Sequence, residues 1–166
     1  MVRLLSAPHH PLETMKYVKI EDQSPIHIKT RQRLLDAVVE GGLDLALACG
    51  GKGLCATCHV YVEEGMDQLT PLTKREEMSL KMLHNYSPKS RLACQAKVIG
   101  DGVAVQRPAG TYIESTADLS VLVGRRAETD ILHPVDGRLL IEEGKLITRS
   151  RIEQLASVDV DVAEMK

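Results

Sequence analysis

The four cysteines of the chain form a close group of three and a distant fourth. The segment CGGKGLCATCH brings Cys49, Cys55 and Cys58 into one short loop, and Cys94 lies far downstream, in the spacing Cys-x5-Cys-x2-Cys-x35-Cys. Thiolates bind soft metals and are the reactive form of cysteine in redox chemistry. The pattern therefore predicts either a metal centre or a reactive thiol in this loop.

The spacing discriminates among the chemistries that cysteine can perform. Structural zinc sites commonly combine two short Cys-x2-Cys turns, and this chain has one such pair. Disulfides are rare where thiols are kept reduced, and a redox dithiol in CATC would need a thioredoxin-like pattern that the sequence lacks. A clustered trio with a distant fourth is typical of a 2Fe-2S cluster, in which four thiolates hold two irons. Zinc, disulfide and dithiol sites remain the alternatives.

Small residues surround the clustered cysteines. Gly50, Gly51 and Gly53 permit positive φ and close backbone approach, so amide N–H groups can point at negatively charged sulfur. Ala56 and Thr57 allow the loop to close, and the Thr57 hydroxyl is a further donor. We therefore predict that these five residues line the cluster and that the four cysteines bind its metal.

His59 directly follows the third cysteine. A Rieske-type centre would need two histidines in place of two cysteines, and four cysteines are already present. We interpret His59 as a buried residue behind the cluster, hydrogen-bonded to Tyr86.

The composition limits the classes of partner. The 166-residue chain is 43% hydrophobic and 27% charged, which is ordinary for a globular protein. With no Phe, no Trp and four Tyr, it offers little for bases to stack on, so no nucleic-acid partner is expected. It has no run of apolar residues long enough to span a membrane and no secretory signal pattern. A cytoplasmic location is expected.

The residues before the cysteine loop predict a hairpin and a helix. MKYVKI at 15–20 and PIHIKT at 25–30 alternate as strands around a turn. Thr30 is expected to cap a helix over 31–40, which the following glycine pair ends. This helix should lie on the hairpin.

The residues after the loop predict strands and one more helix. HVYVEE at 59–64 alternates as a third strand. A helix is expected to open with a capping box from Thr73 to Glu76 and to bury Met78 and Met82. RLACQAKVI and VAVQRP then alternate as a pair of strands around a glycine-containing turn. This order of elements predicts an α+β domain.

The chain divides near Pro108 into parts of different charge. We predict an N-terminal arm at 1–11, a cluster-binding domain at 12–108 and a C-terminal extension at 109–166. The extension has a net charge of −4, against +2 for the residues before it. It is a candidate for contact with a second copy or with a partner.

The extension is expected to contain a strand, a hairpin and a short helix. The strand is predicted in DLSVLVG and the hairpin around Glu143-Gly144. The helix is predicted in TRSRIEQLAS, where Ile152, Leu155 and Ala156 share one face and should point inward.

CGGKGLCATCH and the later SRLACQ resemble the motifs of the 2Fe-2S ferredoxins, with the five-residue first gap of the adrenodoxin-like subgroup. The resemblance covers residues 12–108 and includes the four cysteines in order, His59, Arg91, Leu92 and Gln95. It implies a β-grasp fold, one 2Fe-2S cluster per chain, and a carrier that takes one electron from a reductase and gives it to an acceptor enzyme. The extension resembles that of extended cyanobacterial ferredoxins.

Two functional hypotheses follow. The first is a one-electron carrier that catalyses no reaction itself. The second is a redox-sensing or interaction protein, in which the cluster controls the binding of a partner through residues 109–166. Electron transfer to an acceptor distinguishes the two.

Overall fold

The computed structural model describes residues 14–113 and 115–156, so the predicted arm at 1–11 lies outside the described residues. The strands are β1 (Met15–Ile20), β2 (Ile26–Lys29), β3 (His59–Glu64), β4 (Ser90–Leu92), β5 (Val103–Gln106), β6 (Thr111–Tyr112), β7 (Ile131–Leu132) and β8 (Leu139–Ile141). The helices are α1 (Leu34–Glu40), α2 (Lys74–Lys81), α3 (Thr116–Ser120) and α4 (Arg149–Ala156). In this part of the chain, no helix has the length and apolar character needed to cross a membrane.

Five strands form a mixed sheet in the order β2-β1-β5-β3-β4. The predicted hairpin of β1 and β2 is confirmed, and β1 runs parallel to β5, with Val18 opposite Val103. The prediction that β4 and β5 pair with each other is wrong, because β3 lies between them and bonds to both. The sheet and its helices form the α+β, β-grasp type of fold.

The main core lies between α1 and this sheet. Val18 and Ile20 of β1 and Val60 of β3 are fully buried together with Leu34 and Val38 of α1. Each such side chain contributes about 1.5–3 kcal/mol by leaving water. Aliphatic side chains thus supply the core volume that aromatic residues supply in many domains.

The first helix begins later than predicted. It starts at Leu34, and Thr30 does not cap it, because the Thr30 hydroxyl donates to Thr14 O at 2.7 Å. Arg31 has a φ of 68°, a left-handed conformation that an α-helix cannot include. The predicted glycine stop after the helix is confirmed.

At the second helix only the Thr73 half of the predicted capping box is found, because the Glu76 carboxylate bonds Arg91, and the helix buries a different face. Thr73 Oγ1 accepts the N–H of Glu76 at 3.1 Å. The prediction that Met78 and Met82 are buried is wrong, since their exposed fractions are 71% and 61%. The inward face carries Leu80 and the carboxylate of Glu76 instead.

The extension forms a three-stranded sheet, β6-β7-β8, with α3 and α4. The predicted helix near the C-terminus is confirmed, and Ile152 and Leu155 pack against a second buried cluster. The side chain of Ala156 lies outside the described atoms. The second cluster consists of Leu119, Ala127, Ile131, Leu140, Ile141 and Ile147.

The prediction of a strand in DLSVLVG is wrong. Ser115 and Asp118 form a capping box, which starts the helix α3 at this point. Leu119 is buried, whereas Val121 is 79% exposed. Local side-chain bonds to the backbone therefore outweigh the β-propensity of the valines.

The predicted hairpin around Gly144 is wrong in its second strand. Gly144 makes the turn after β8, with a φ of 77°. The chain then leaves β8 and pairs with an earlier segment: Ala127 N donates to Lys145 O, and Ile147 N donates to Arg125 O, both at 2.9 Å.

Candidate metal centre

The four predicted thiols lie together in the interior as two pairs. Cys58 Sγ lies 3.3 Å from Cys94 Sγ, and the side chains of Cys49 and Cys55 are in hydrogen-bonding contact. The exposed fraction is 1% for the first three cysteines and 4% for Cys94. A loop and a distant segment therefore meet at one buried site.

The pairing of β3 with β4 holds Cys58 and Cys94 side by side. His59, the first residue of β3, lies opposite Leu92, the last residue of β4. Ala93 N donates to Cys58 O at 3.0 Å. Two cysteines 36 positions apart thereby become neighbours.

The N-terminus of α1 fixes the segment that carries Cys94. Leu34 N donates to Ala96 O at 2.8 Å, and Leu35 N donates to Ala93 O at 2.9 Å. The first N–H groups of a helix have no partner within the helix, and here the carbonyls that flank Cys94 accept them. These bonds replace the side-chain cap predicted for Thr30.

Donors of the loop surround the sulfur of Cys49. Burial by itself would raise the pKa of Cys49, but hydrogen bonds to the sulfur lower it below the ordinary value. A lowered pKa favours the thiolate, the form that binds metal. The donors are the backbone N–H groups of Leu54, Lys52 and Gly51 and the side chain of Cys55.

The hydroxyl of Thr57 connects the loop to Cys55. Its Oγ1 accepts the N–H of Ala48 at 3.0 Å and lies 3.1 Å from Cys55 Sγ. Since the oxygen already accepts one hydrogen, its own hydrogen is available to the sulfur. Burial raises the pKa of Cys55, and this hydrogen bond offsets part of that rise.

Cys94 has the largest lowering of pKa among the thiols. The S–H of Cys58 donates to Cys94 Sγ and, against the effect of burial, lowers the pKa of Cys94 to about 6. Gln95 Nε2, at 3.4 Å, and Gly53 N donate to the same sulfur. A Cβ at Gly53 would lie 2.6 Å from Gln95 Nε2, so the glycine lets both donors approach.

Two of the five predicted lining residues direct their N–H groups elsewhere. Gly50 N donates to Leu47 O at 2.8 Å, and Ala56 N donates to Pro134 O at 3.1 Å. The amide of Ala56 is therefore bound by the extension. Gly51, Gly53 and Thr57 place donors at sulfur.

The extension packs against the loop beside Ala56. Gly137 has a φ of 68°, and a Cβ there would overlap Leu83 Cδ2 and lie 3.3 Å from Ala56 Cβ. His84 N donates to Gly137 O at 3.2 Å. The turn around Gly137 thus contacts the cysteine loop and the end of α2 together.

A buried ion pair joins α2 to β4. Arg91 Nε donates to Glu76 Oε1 at 2.7 Å, and Leu92 N donates to the same oxygen at 2.9 Å. The side chains of Arg91 and Glu76 are 2% and 0% exposed. Sequence analysis does not predict this pair. The signal that could reveal it is that Glu76 shares a helical face with Leu80.

His59 is buried as predicted, but its partner is Ser90 and not Tyr86. His59 Nε2 lies 2.8 Å from Ser90 Oγ, and the His59 ring meets the ring of Tyr61 edge to face. Tyr86 is half exposed. Burial lowers the pKa of His59 to about 4, so the imidazole is neutral at neutral pH.

The donor set fits a two-iron cluster. The four thiols form two pairs, and a 2Fe-2S cluster takes two thiolates for each iron. The inward N–H groups match the negative charge that such a centre carries.

Comparison with known proteins supports this fit. Residues 18–98 match the model of the 2Fe-2S iron-sulfur cluster binding domain. The chain is 30% identical over 108 residues to a 2Fe-2S ferredoxin of Escherichia coli (strain K12), covering 65% of this chain and 91% of the relative. It is 36% identical over 80 residues to a 2Fe-2S ferredoxin of Pseudomonas aeruginosa, covering 48% of this chain and 71% of that relative.

A solved structure is also similar. The crystal structure of an ISC-like 2Fe-2S ferredoxin from Pseudomonas putida JCM 20004 matches with a TM-score of 0.52 and 26% identity. The match covers 57% of this chain and 93% of that chain. The relatives, the fold and the four cysteines agree that this chain belongs to the 2Fe-2S ferredoxin family. The members of this family are electron carriers and not enzymes, and this chain is accordingly an electron carrier with one 2Fe-2S cluster.

Proposed function

We propose that Cys49 and Cys55 hold one iron of the cluster and that Cys58 and Cys94 hold the other. The observation that supports this assignment is the grouping of the four buried thiols into these two pairs. When bound, the cluster supplies one-electron redox chemistry. The remaining residues of the site then set how favourable the added electron is.

The hydrogen bonds to sulfur are the chain's means of setting the potential. Reduction adds a negative charge, which donors near the sulfurs stabilise and burial opposes. Thr57, Gln95 and the amides of Gly51 and Gly53 are the donors. These donors therefore favour the reduced cluster, whereas the burial of the thiols favours the oxidised cluster.

The proposed partners are a reductase as donor and an enzyme as acceptor, each exchanging one electron at a time. Surface suitable for docking lies on the loop and on α2. Leu54 is 48% exposed between two of the cysteines, and Met78 and Met82 are exposed on α2. Glu77 and Lys81 add both signs of charge to this helix. Apolar contacts, with charge setting orientation, would recognise each partner.

We propose a ferredoxin domain at 12–108 and an extension at 109–166. Two buried clusters support this division, because one is built from residues before the boundary and the other from residues after it. The proposed location is the cytoplasm. The support for it is chemical, since cluster ligands must be reduced thiols and a reducing compartment maintains them.

The assignment is tested by replacing each of the four cysteines with alanine. Each variant should lose the visible absorption of the cluster, with iron and acid-labile sulfide well below two of each per chain. Leu54→Ala, in the same loop but exposed, is the matched control and should retain both. A normal spectrum in Cys94→Ala would assign the fourth ligand elsewhere.

The carrier role is tested with the full chain. A catalytic amount of the protein should accelerate electron transfer from a ferredoxin reductase to a one-electron acceptor protein, and Cys94→Ala should not. A protein that is reduced reversibly but transfers to no acceptor, and binds a partner in one redox state only, would favour the sensing hypothesis.

A further inference from the structure

Three residues with an unsatisfied buried polar atom line one cavity. Among the described residues, the buried side-chain nitrogen and oxygen atoms without a hydrogen-bond partner are His59 Nδ1, Asn85 Oδ1 and Tyr112 Oη. All three residues line a single cavity of about 260 Å³. An unsatisfied buried polar group costs about 1–3 kcal/mol. Three of them around one space indicate that the space holds hydrogen-bonding molecules.

The cavity lies where the ferredoxin domain meets the extension. Asp44, Thr57 and His59 line it from the first part, and residues 107–112 line it from the junction and the start of the extension. Asp44 is exposed, whereas Thr57 and His59 are each 1% exposed. The cavity therefore reaches from the surface to the interior.

The three atoms require partners of different kinds. Asn85 Nδ2 donates to Ala109 O at 3.3 Å, which leaves Oδ1 as an acceptor that needs a donor. Tyr112 Oη can donate or accept, and His59 Nδ1 does either according to the tautomer. An ionised carboxylate accepts only, and would leave Asn85 Oδ1 unsatisfied. Water satisfies all three.

The size of the cavity agrees with water. One water molecule occupies about 30 Å³ in the liquid. A cavity of about 260 Å³ therefore accommodates several, enough to bridge the three polar atoms. Ordered water with two to four polar partners is a regular part of protein interiors.

Thr57 and Tyr112 connect this cavity to the proposed cluster ligands. Thr57 lines the cavity while its hydroxyl bonds Cys55 Sγ at 3.1 Å. Tyr112 packs against the buried cluster that contains Cys58 and Cys94, and burial raises its pKa. The water site and the metal site are thus adjacent.

We propose that the cavity is a water site completed by the C-terminal extension, and that its water, anchored by Tyr112, raises the reduction potential of the cluster. The proposal rests on the cysteine assignment above. Water dipoles reorient around an added charge. Water in the cavity therefore favours the reduced cluster, and a cavity without water disfavours it. Tyr112 acts as a positioning residue.

The test compares three variants of the full chain by redox titration. Tyr112→Phe removes one anchor of the water, and Ala46→Leu places a larger apolar side chain at another lining position of the cavity. Both should shift the midpoint potential to more negative values with an unchanged absorption spectrum. Tyr86→Phe, at a half-exposed tyrosine outside the cavity lining, is the matched control and should leave the potential unchanged.

The outcomes separate this proposal from the ligand assignment. If the spectrum is intact and the potential of Tyr112→Phe equals that of the control, the water site has no effect on the cluster and the proposal fails. If Tyr112→Phe shifts the potential but Ala46→Leu does not, water is not the agent and the proposal also fails. Loss of iron from the unmodified protein would count against the cysteine assignment.

A high-resolution crystal structure of the oxidised protein tests the site directly. We expect ordered water within about 2.7–3.2 Å of Tyr112 Oη and of Asn85 Oδ1. An organic molecule in these positions, or direct contacts among the three side chains, would overturn the assignment of water.

Discussion

The hydroxyl of Thr57 is the donor to sulfur that mutation can remove with least disturbance. It lies 3.1 Å from Cys55 Sγ and accepts Ala48 N at 3.0 Å. Valine has nearly the same shape but no hydroxyl, whereas serine keeps the hydroxyl and lacks the methyl group. The two substitutions therefore separate hydrogen bonding from packing at one position.

We predict that Thr57→Val makes the midpoint potential more negative. A loss of about 1 kcal/mol of preference for the reduced state corresponds to about 40 mV for a one-electron couple. Thr57→Ser should remain near the unmodified value. The measurement is a redox titration followed by absorption. Equal shifts in both variants would mean that packing, and not the hydroxyl, controls the potential.

Glu76 and Glu77 have different environments although they are adjacent in the sequence. The helix α2 presents Glu76 and Glu77 as neighbours, but Glu76 is fully buried against Arg91, whereas Glu77 bonds the exposed Lys81. Only Glu77 can contact a partner. Charge reversal at Glu76 would report on folding and not on docking.

At the scale of elements, the Glu76–Arg91 pair fixes α2 on β4 just before Cys94. We predict that Arg91→Met lowers the free energy of unfolding by about 3–5 kcal/mol, because the buried Glu76 carboxylate loses its counter-charge. Chemical denaturation followed by circular dichroism measures this effect. The control is Glu77→Gln, which removes an exposed charge one position away and should leave stability unchanged. Similar losses in both variants would indicate a general effect of charge on α2.

The turn around Gly137 is the element that brings the extension onto the cysteine loop. We predict that Gly137→Ala is more destabilising than Gly144→Ala. Both glycines have positive φ, 68° and 77°. An alanine at either position therefore destabilises the folded backbone by about 1–2 kcal/mol. A Cβ at Gly144 meets open space, whereas one at Gly137 overlaps Leu83.

Thermal unfolding and amide exchange measure the difference between the two glycine variants. Gly137→Ala should also expose the amide of Ala56 to exchange, because Pro134 O would move away from it. Unchanged protection of Ala56 in Gly137→Ala would show that the turn does not hold the loop.

At the scale of the whole molecule, the proposed extension packs on the proposed ferredoxin domain and contains none of the four cysteines. We predict that a chain ending at Ala109 retains two irons and two sulfides but melts at a lower temperature. All four cysteines and the main buried cluster precede this point, while removal of the turn uncovers Leu83 and Ala56.

Iron and sulfide assays, the absorption spectrum and thermal unfolding of the truncated chain provide the measurement. A truncated protein that stays folded by circular dichroism but loses its colour would show that the extension is required for the cluster. An identical melting temperature would show that its packing on the loop contributes nothing to stability.

The sequence by itself predicts the metal ligands and the first three strands. Ligand chemistry resides in residue type and spacing, so Cys49, Cys55, Cys58 and Cys94 are identifiable without coordinates. The strands β1, β2 and β3 alternate apolar and polar residues strongly enough to be predicted with nearly correct ends. Both signals depend on residue type and order along the chain, so they can be identified from the sequence.

Only the tertiary structure decides which face of an element is covered. Met78 and Met82 have helical spacing, yet both are exposed. The opposite face of α2 packs against the sheet, because Glu76 on that face pairs with Arg91 on β4. The start of α1 depends in the same way on carbonyls beside Cys94. Periodicity shows which side chains share a face, but their partners come from distant segments.

The same reason hides the contacts of the extension from sequence analysis. Pro134 accepts the amide of Ala56, and Tyr112 joins His59 and Asn85 around one cavity, although no spacing or motif links these residues. Their approach depends on how two separately predicted parts of the chain pack together. The sequence thus predicts the cluster ligands, and the tertiary structure determines their polar surroundings.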